Sequence, residues 1–99
     1  MTSEILATPN TLVVVPDHVH VREFDGELVI LDLELGQYYA LDALGTTLWR
    51  GMSDGKTASA VASEVKDAYD IDPNVLLNDL VALCSEWLGR GLVKPLKDE

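Results

Sequence analysis

Apolar positions along this chain recur with a period of two in its first half and with a helical period in its second. The stretch HVHVREFDGELVILDLELGQYYAL carries two turn signals, Asp25-Gly26 and Leu35-Gly36-Gln37. Asp-Gly is a favoured two-residue hairpin turn, so three strands are expected at His18 to Phe24, Glu27 to Glu34 and Gln37 to Leu41, joined as an antiparallel meander. In the middle strand Val29, Leu31, Leu33 and Leu35 share one face, and Leu28, Ile30, Asp32 and Glu34 share the other. Side chains alternate across a strand, so one of these two faces is the core side. Upstream, the β-branched run at residues 12–15 stops at Pro16, which cannot donate to a ladder, and predicts a short edge segment.

After Leu41 the period becomes helical. Asp42 is an N-cap candidate ahead of Leu44, Leu48 and Trp49, and this helix stops near Gly51. A turn at Ser53-Asp54-Gly55 leads to a second helix opened by Lys56-Thr57, with Ala58, Val61, Ala62, Val65 and Tyr69 on one stripe. Asp72 as N-cap and Pro73 at the first helical position start a third helix that runs to about Arg90 and is closed by Gly91. The expected order is β-β-β-α-α-α, an α+β fold.

The third helix is more apolar than a helix on one core requires. Leu83, Leu76, Trp87, Leu80, Cys84, Leu77, Leu88 and Val81 follow one another around it over roughly 160°, against the ~100° stripe of an ordinary surface helix. Two arrangements account for the excess. Either the other two helices take the whole arc, or one flank, Leu77, Val81 and Leu88, faces an open groove.

Composition bounds the domain organisation. The 99 residues are 47% apolar with a mean hydropathy of +0.12, enough for one modest core. Residues 1–11 are expected as a flexible N-terminal arm, 12–95 as a single domain and 96–99 as a tail. Charge then excludes a class of partner: 17 Asp and Glu face 7 Lys and Arg, a net charge of −10. Nucleic-acid affinity rests on cations that displace phosphate counterions, so no nucleic-acid partner is expected. There is no apolar run long enough to span a bilayer and no signal-like N-terminus, so a cytoplasmic protein without a membrane partner is expected.

Candidate chemistry is sparse. His18 and His20 project from one side of a strand with no third ligand in reach, so no metal is expected. Cys84, the single cysteine, falls near the centre of the apolar arc and reads as a buried thiol rather than a nucleophile. No glycine-rich phosphate loop is present. The chain lacks the parts of an enzyme and is expected to need no cofactor, which leaves a binding module. The strand Gln37 to Leu41 would be a sheet edge, and edges bind partner peptides by accepting them as a further strand. Leu41 must enter the core to seat the next helix, so Tyr39 shares its side and borders a peptide pocket while Tyr38 faces away.

These residues also carry a resemblance. LDLELGQYYALDALGTTLW, the Asp-Gly turn, AYDIDP and DLVALCSEWLGRGLV, spanning about residues 18 to 94, resemble the PqqD family of peptide-recognition elements, above all the stand-alone form found in lasso-peptide clusters. The resemblance implies a winged-helix-like domain that binds the leader region of a ribosomally made precursor peptide. The leader would add beside the third strand and pack on the third helix. Carried over residue by residue, it implies a groove of Tyr38, Tyr39, Ala40, Leu77, Val81, Cys84 and Leu88, with Leu80, Leu83 and Trp87 as core. It also implies a partner processing enzyme, either a leader peptidase working with a macrocyclase or a radical-SAM enzyme. Asp42 stands where relatives more often carry Asn, which preserves capping, and residues 1–17 have no clear counterpart. A winged-helix transcription regulator is the third reading, opposed by the net charge, and a homodimer through the sheet edge is a further expectation.

Overall fold

A computed structural model describes residues 6–96 of the chain. The elements are β1 (Val13–Val14), β2 (Val19–Phe24), β3 (Glu27–Asp32), β4 (Gln37–Ala40), α1 (Ala43–Ser53), α2 (Ala58–Val65), α3 (Pro73–Arg90) and β5 (Lys94–Pro95). Strands β2, β3 and β4 form an antiparallel sheet in that order, and β1 pairs with β5 in a separate two-stranded ribbon. This is the expected α+β architecture of a three-stranded meander followed by three helices.

Local chemistry accounts for most boundaries. Phe24 pairs with Glu27 across Asp25 and Gly26, whose φ angles of 53° and 83° are the two positive values that a type I′ turn requires. The second reversal is wider than expected, because β3 stops at Asp32 rather than Glu34. The Asp32 carboxylate accepts the N–H groups of Glu34 at 3.0 Å and Leu35 at 3.1 Å, which turns the chain out of the ladder. Leu33 and Leu35 are thereby left exposed, and the core face of β3 is Leu28, Ile30 and Asp32. The capping residues stand as expected: Asp42 accepts from Gly45 N–H at 2.8 Å, Asp72 from Asn74 N–H at 2.7 Å, and Gly91 closes α3 in the left-handed region at φ 75°. Helix α2 ends at Val65, so Tyr69 lies beyond it in the following turn.

The core gathers Ile30 from the sheet, Leu48 from α1, Val61 from α2, Leu76, Leu80 and Cys84 from α3, and Leu92 beyond it, all fully buried. Trp49 and Trp87 meet edge to face with centroids 5.1 Å apart, locking α1 to α3.

Part of the N-terminal segment is anchored to the helices. Residues 1–5 and 97–99 lie outside the described residues, and residues 6–11 are mostly exposed but tied to the domain at two points. Ala7 is buried and its N–H donates to Ser85 Oγ on α3 at 2.9 Å, and Pro9 C=O accepts from Ser59 N–H on α2 at 3.0 Å. Val13 and Val14 then pair with Pro95 and Lys94, so the short upstream segment joins the chain end and neither edge of the meander.

Candidate functional site

Strand β4 is an edge of the three-stranded sheet, and its ladder with β3 fixes which backbone groups remain open. Leu41 N–H donates to Leu28 C=O at 2.9 Å. In an antiparallel pair the bonded positions alternate, so Gln37, Tyr39 and Leu41 direct their backbone groups at β3, while Tyr38 and Ala40 direct theirs away from the sheet. Among the described residues, no turn, loop or side-chain bond engages those outward groups. Side chains alternate in the other sense. Tyr39, opposite Ile30, turns to the helix side and is half-buried, whereas Tyr38 is 72% exposed on the outer face.

Beside this edge runs a cleft of about 260 Å³ between β4, the start of α1 and the last turns of α3. Leu41, Trp87 and Leu92 make an apolar floor, with Leu83 on the helix wall. The rim is polar. Tyr39 Oη donates to Gln37 Oε1 at 2.7 Å, and the Arg90 guanidinium lies over the Tyr39 ring, 5.2 Å from its centroid. Arg90 Nε donates to Glu86 Oε2 at 3.1 Å, and this bond, followed by the neighbouring Tyr39, raises the guanidinium's pKa above its ordinary value. The other carboxylate of the cleft, Asp42, caps α1 through Gly45 N–H. An edge that offers main-chain groups beside an apolar trough with a polar rim is suited to hold an extended peptide.

The sequence-derived groove is divided by the structure. Tyr39 and Ala40 line the cleft, and Tyr38 contributes its backbone at the same edge. Leu77, Val81, Cys84 and Leu88 are not brought there: they occupy the opposite flank of α3, where Cys84 and Leu88 are buried and Leu77 and Val81 pack against the core. That flank also carries Ser85, which holds Ala7. The helix residues at the cleft are instead Leu83, Glu86, Trp87 and Arg90. Leu83 and Trp87 are two of the positions that the resemblance implied as core. Glu86 lies outside the apolar arc, and its signal in the sequence is the i,i+4 spacing to Arg90 beside the Leu83 end of that arc.

Reactive chemistry is weak at the other candidates. Burial pushes the Cys84 thiol up to about 11, which removes the thiolate that nucleophilic attack needs. Among the described residues no three His, Cys, Asp or Glu side chains converge on one point, and no helix is long and apolar enough to cross a membrane.

The family model described as coenzyme PQQ synthesis protein D (PqqD) matches residues 27–93. Two solved structures share the fold across nearly their whole length. TbiB1 in complex with the TbiA(beta) leader peptide is 26% identical, with a TM-score of 0.75 over 85% of this chain and 98% of that one. A lasso peptide synthetase B1 complexed with the leader peptide is 22% identical, with a TM-score of 0.78 over 84% of this chain and 98% of that one. No curated protein matches the sequence.

Proposed function

Because the chain belongs to the PqqD family, we propose that it is a non-catalytic binder of the leader region of a ribosomally made precursor peptide in lasso peptide biosynthesis. The leader adds as a strand along β4, taking its main-chain hydrogen bonds from Tyr38 and Ala40. Its alternate side chains enter the cleft over Leu83 and Trp87, beside Tyr39. The observation that carries this reading is the open β4 edge lying against an apolar cleft. The leader-bound state of the two structural neighbours supports it.

Holding the leader serves a separate processing enzyme, a leader peptidase followed by a macrocyclase. The chain supplies no reacting group. It raises the local concentration of the precursor's core segment near that enzyme, on the order of millimolar for a short tether.

Titration of the chain into the fluorescently labelled leader of its cognate precursor peptide tests this. Saturable binding is expected, and excess unlabelled leader should compete. An unchanged anisotropy across the titration would overturn the proposal.

A further inference from the structure

Among the described residues, Arg90 is the only positively charged side chain lining the cleft, and it lies close to the open edge of β4. The two carboxylates there are already served, Asp42 by Gly45 N–H and Glu86 by Arg90 Nε. Arg90 itself spends its Nε on Glu86 and lies over the Tyr39 ring, and among the described residues no other carboxylate pairs with its Nη groups, which can make a bidentate contact.

Strand geometry places one guest side chain next to that fork. A strand hydrogen-bonded to Tyr38 and Ala40 sets one residue directly opposite Tyr39, with Cβ atoms about 4.5–5.5 Å apart and both side chains on the same face. That face is the cleft side, where Arg90 overlies the ring. We infer that Arg90 is a specificity-determining residue that selects an acidic side chain, and rejects a basic one, at the guest position facing Tyr39.

The rule runs against the charge of the molecule. A net charge of −10 draws basic peptides in general. One position of the guest would therefore prefer Asp or Glu while its surroundings tolerate or favour Lys and Arg. This would fix the register of a guest whose main-chain bonds alone accept any sequence.

The inference rests on the peptide-binding reading, and the experiment separates the two. The full-length chain is used to select binders from a display library of random linear peptides. The strongest binder is then resynthesised with Glu and with Lys at each position in turn. One position is expected to favour Glu over Lys by about fivefold, the scale of a partly exposed ion pair. The preference should vanish with Arg90→Gln and reverse with Arg90→Glu, with thermal melts verifying that both variants remain folded. A library that gives no binder overturns the peptide-binding reading and this inference with it. Binders without any position whose charge preference follows residue 90 overturn this inference alone.

Discussion

The two free edges of the meander differ in how their backbone is guarded. Both strands lie beside a hollow next to a helix, and both have an arginine across its mouth, Arg90 at β4 and Arg50 at β2. The hollow at β2 is the larger, about 430 Å³ against about 260 Å³, so size does not choose the site. Backbone access does. Leu33 N–H bonds His18 C=O, which by alternation turns Val19, Val21 and Glu23 outward on β2. Val19 N–H is taken by Pro16 C=O at 3.1 Å, and Val21 C=O accepts from Arg22 Nη1 at 3.2 Å. Glu23 points into the hollow and pairs with Arg50 at 2.6 Å. Charged residues on an edge, inward-pointing ones included, are a standard defence against unwanted strand pairing. Strand β4 carries Gln37, Tyr38, Tyr39 and Ala40, with no charge among them. An edge left undefended in a chain with so many acidic residues is consistent with use, and the lesson is that a binding edge is marked by what the fold leaves off it.

The floors of the two hollows are joined, so the largest effect should strike both. Trp87 beneath β4 meets Trp49 beneath β2 edge to face. Trp87→Ala should cost about 3–5 kcal/mol in a urea melt, a large share of the 5–15 kcal/mol typical of a domain. Amide exchange should rise in β2 as well as β4. Faster exchange confined to β4 would mean that the hollows are independent and that the edges share no support.

Proline separates the edges directly. At Ala40 and at Val21 the N–H faces away from the ladder, so proline removes no β3 bond at either place. Ala40→Pro takes a donor from the guest and sets a ring in its path, and should weaken leader binding by about tenfold to a hundredfold. Val21→Pro should leave binding unchanged. Equal losses from both would break the assignment of the guest to β4.

A smaller step tests the two tyrosines. Tyr39→Ala removes the ring under Arg90 and should weaken leader binding by about tenfold, as loss of an interface tyrosine commonly does. Tyr38→Ala, on the outer face, should change it by less than about twofold, because only its backbone engages the guest. The reverse order in the same titration would place the guest side chains on the outer face.

The faces of those tyrosines were legible in the sequence because period two, anchored on Leu41, fixes faces without tertiary information. The Asp25-Gly26 hairpin, the Asp42 and Asp72 caps and the Gly91 stop were legible for a similar reason, since each is decided by one or two neighbouring residues. The cleft's helix wall was not. Periodicity gave the apolar arc of α3 but not which neighbour covers which flank. That depends on Ala7 docking at Ser85 and on β4 arriving beside Leu83 and Arg90, contacts between residues far apart in the chain. The β1 and β5 ribbon was hidden likewise, as two-residue strands from opposite ends carry no pattern of their own.

The smallest effect concerns the guard itself. Glu23 and Arg50 are both about half exposed, with side-chain exposures of 58% and 51%, so solvent screens their attraction despite the short contact. Glu23→Gln keeps the side chain's shape and removes its charge, and should lower stability by less than about 0.5 kcal/mol, a difference that fades as salt rises. The informative readout is association. If Glu23 defends the edge, the variant should self-associate more at high protein concentration in light scattering, while leader binding at β4 stays unchanged. A loss of more than about 1 kcal/mol without added association would identify the ion pair as a structural clamp between β2 and α1. The contrast between the edges would then rest on the bonds of Val19 and Val21 alone.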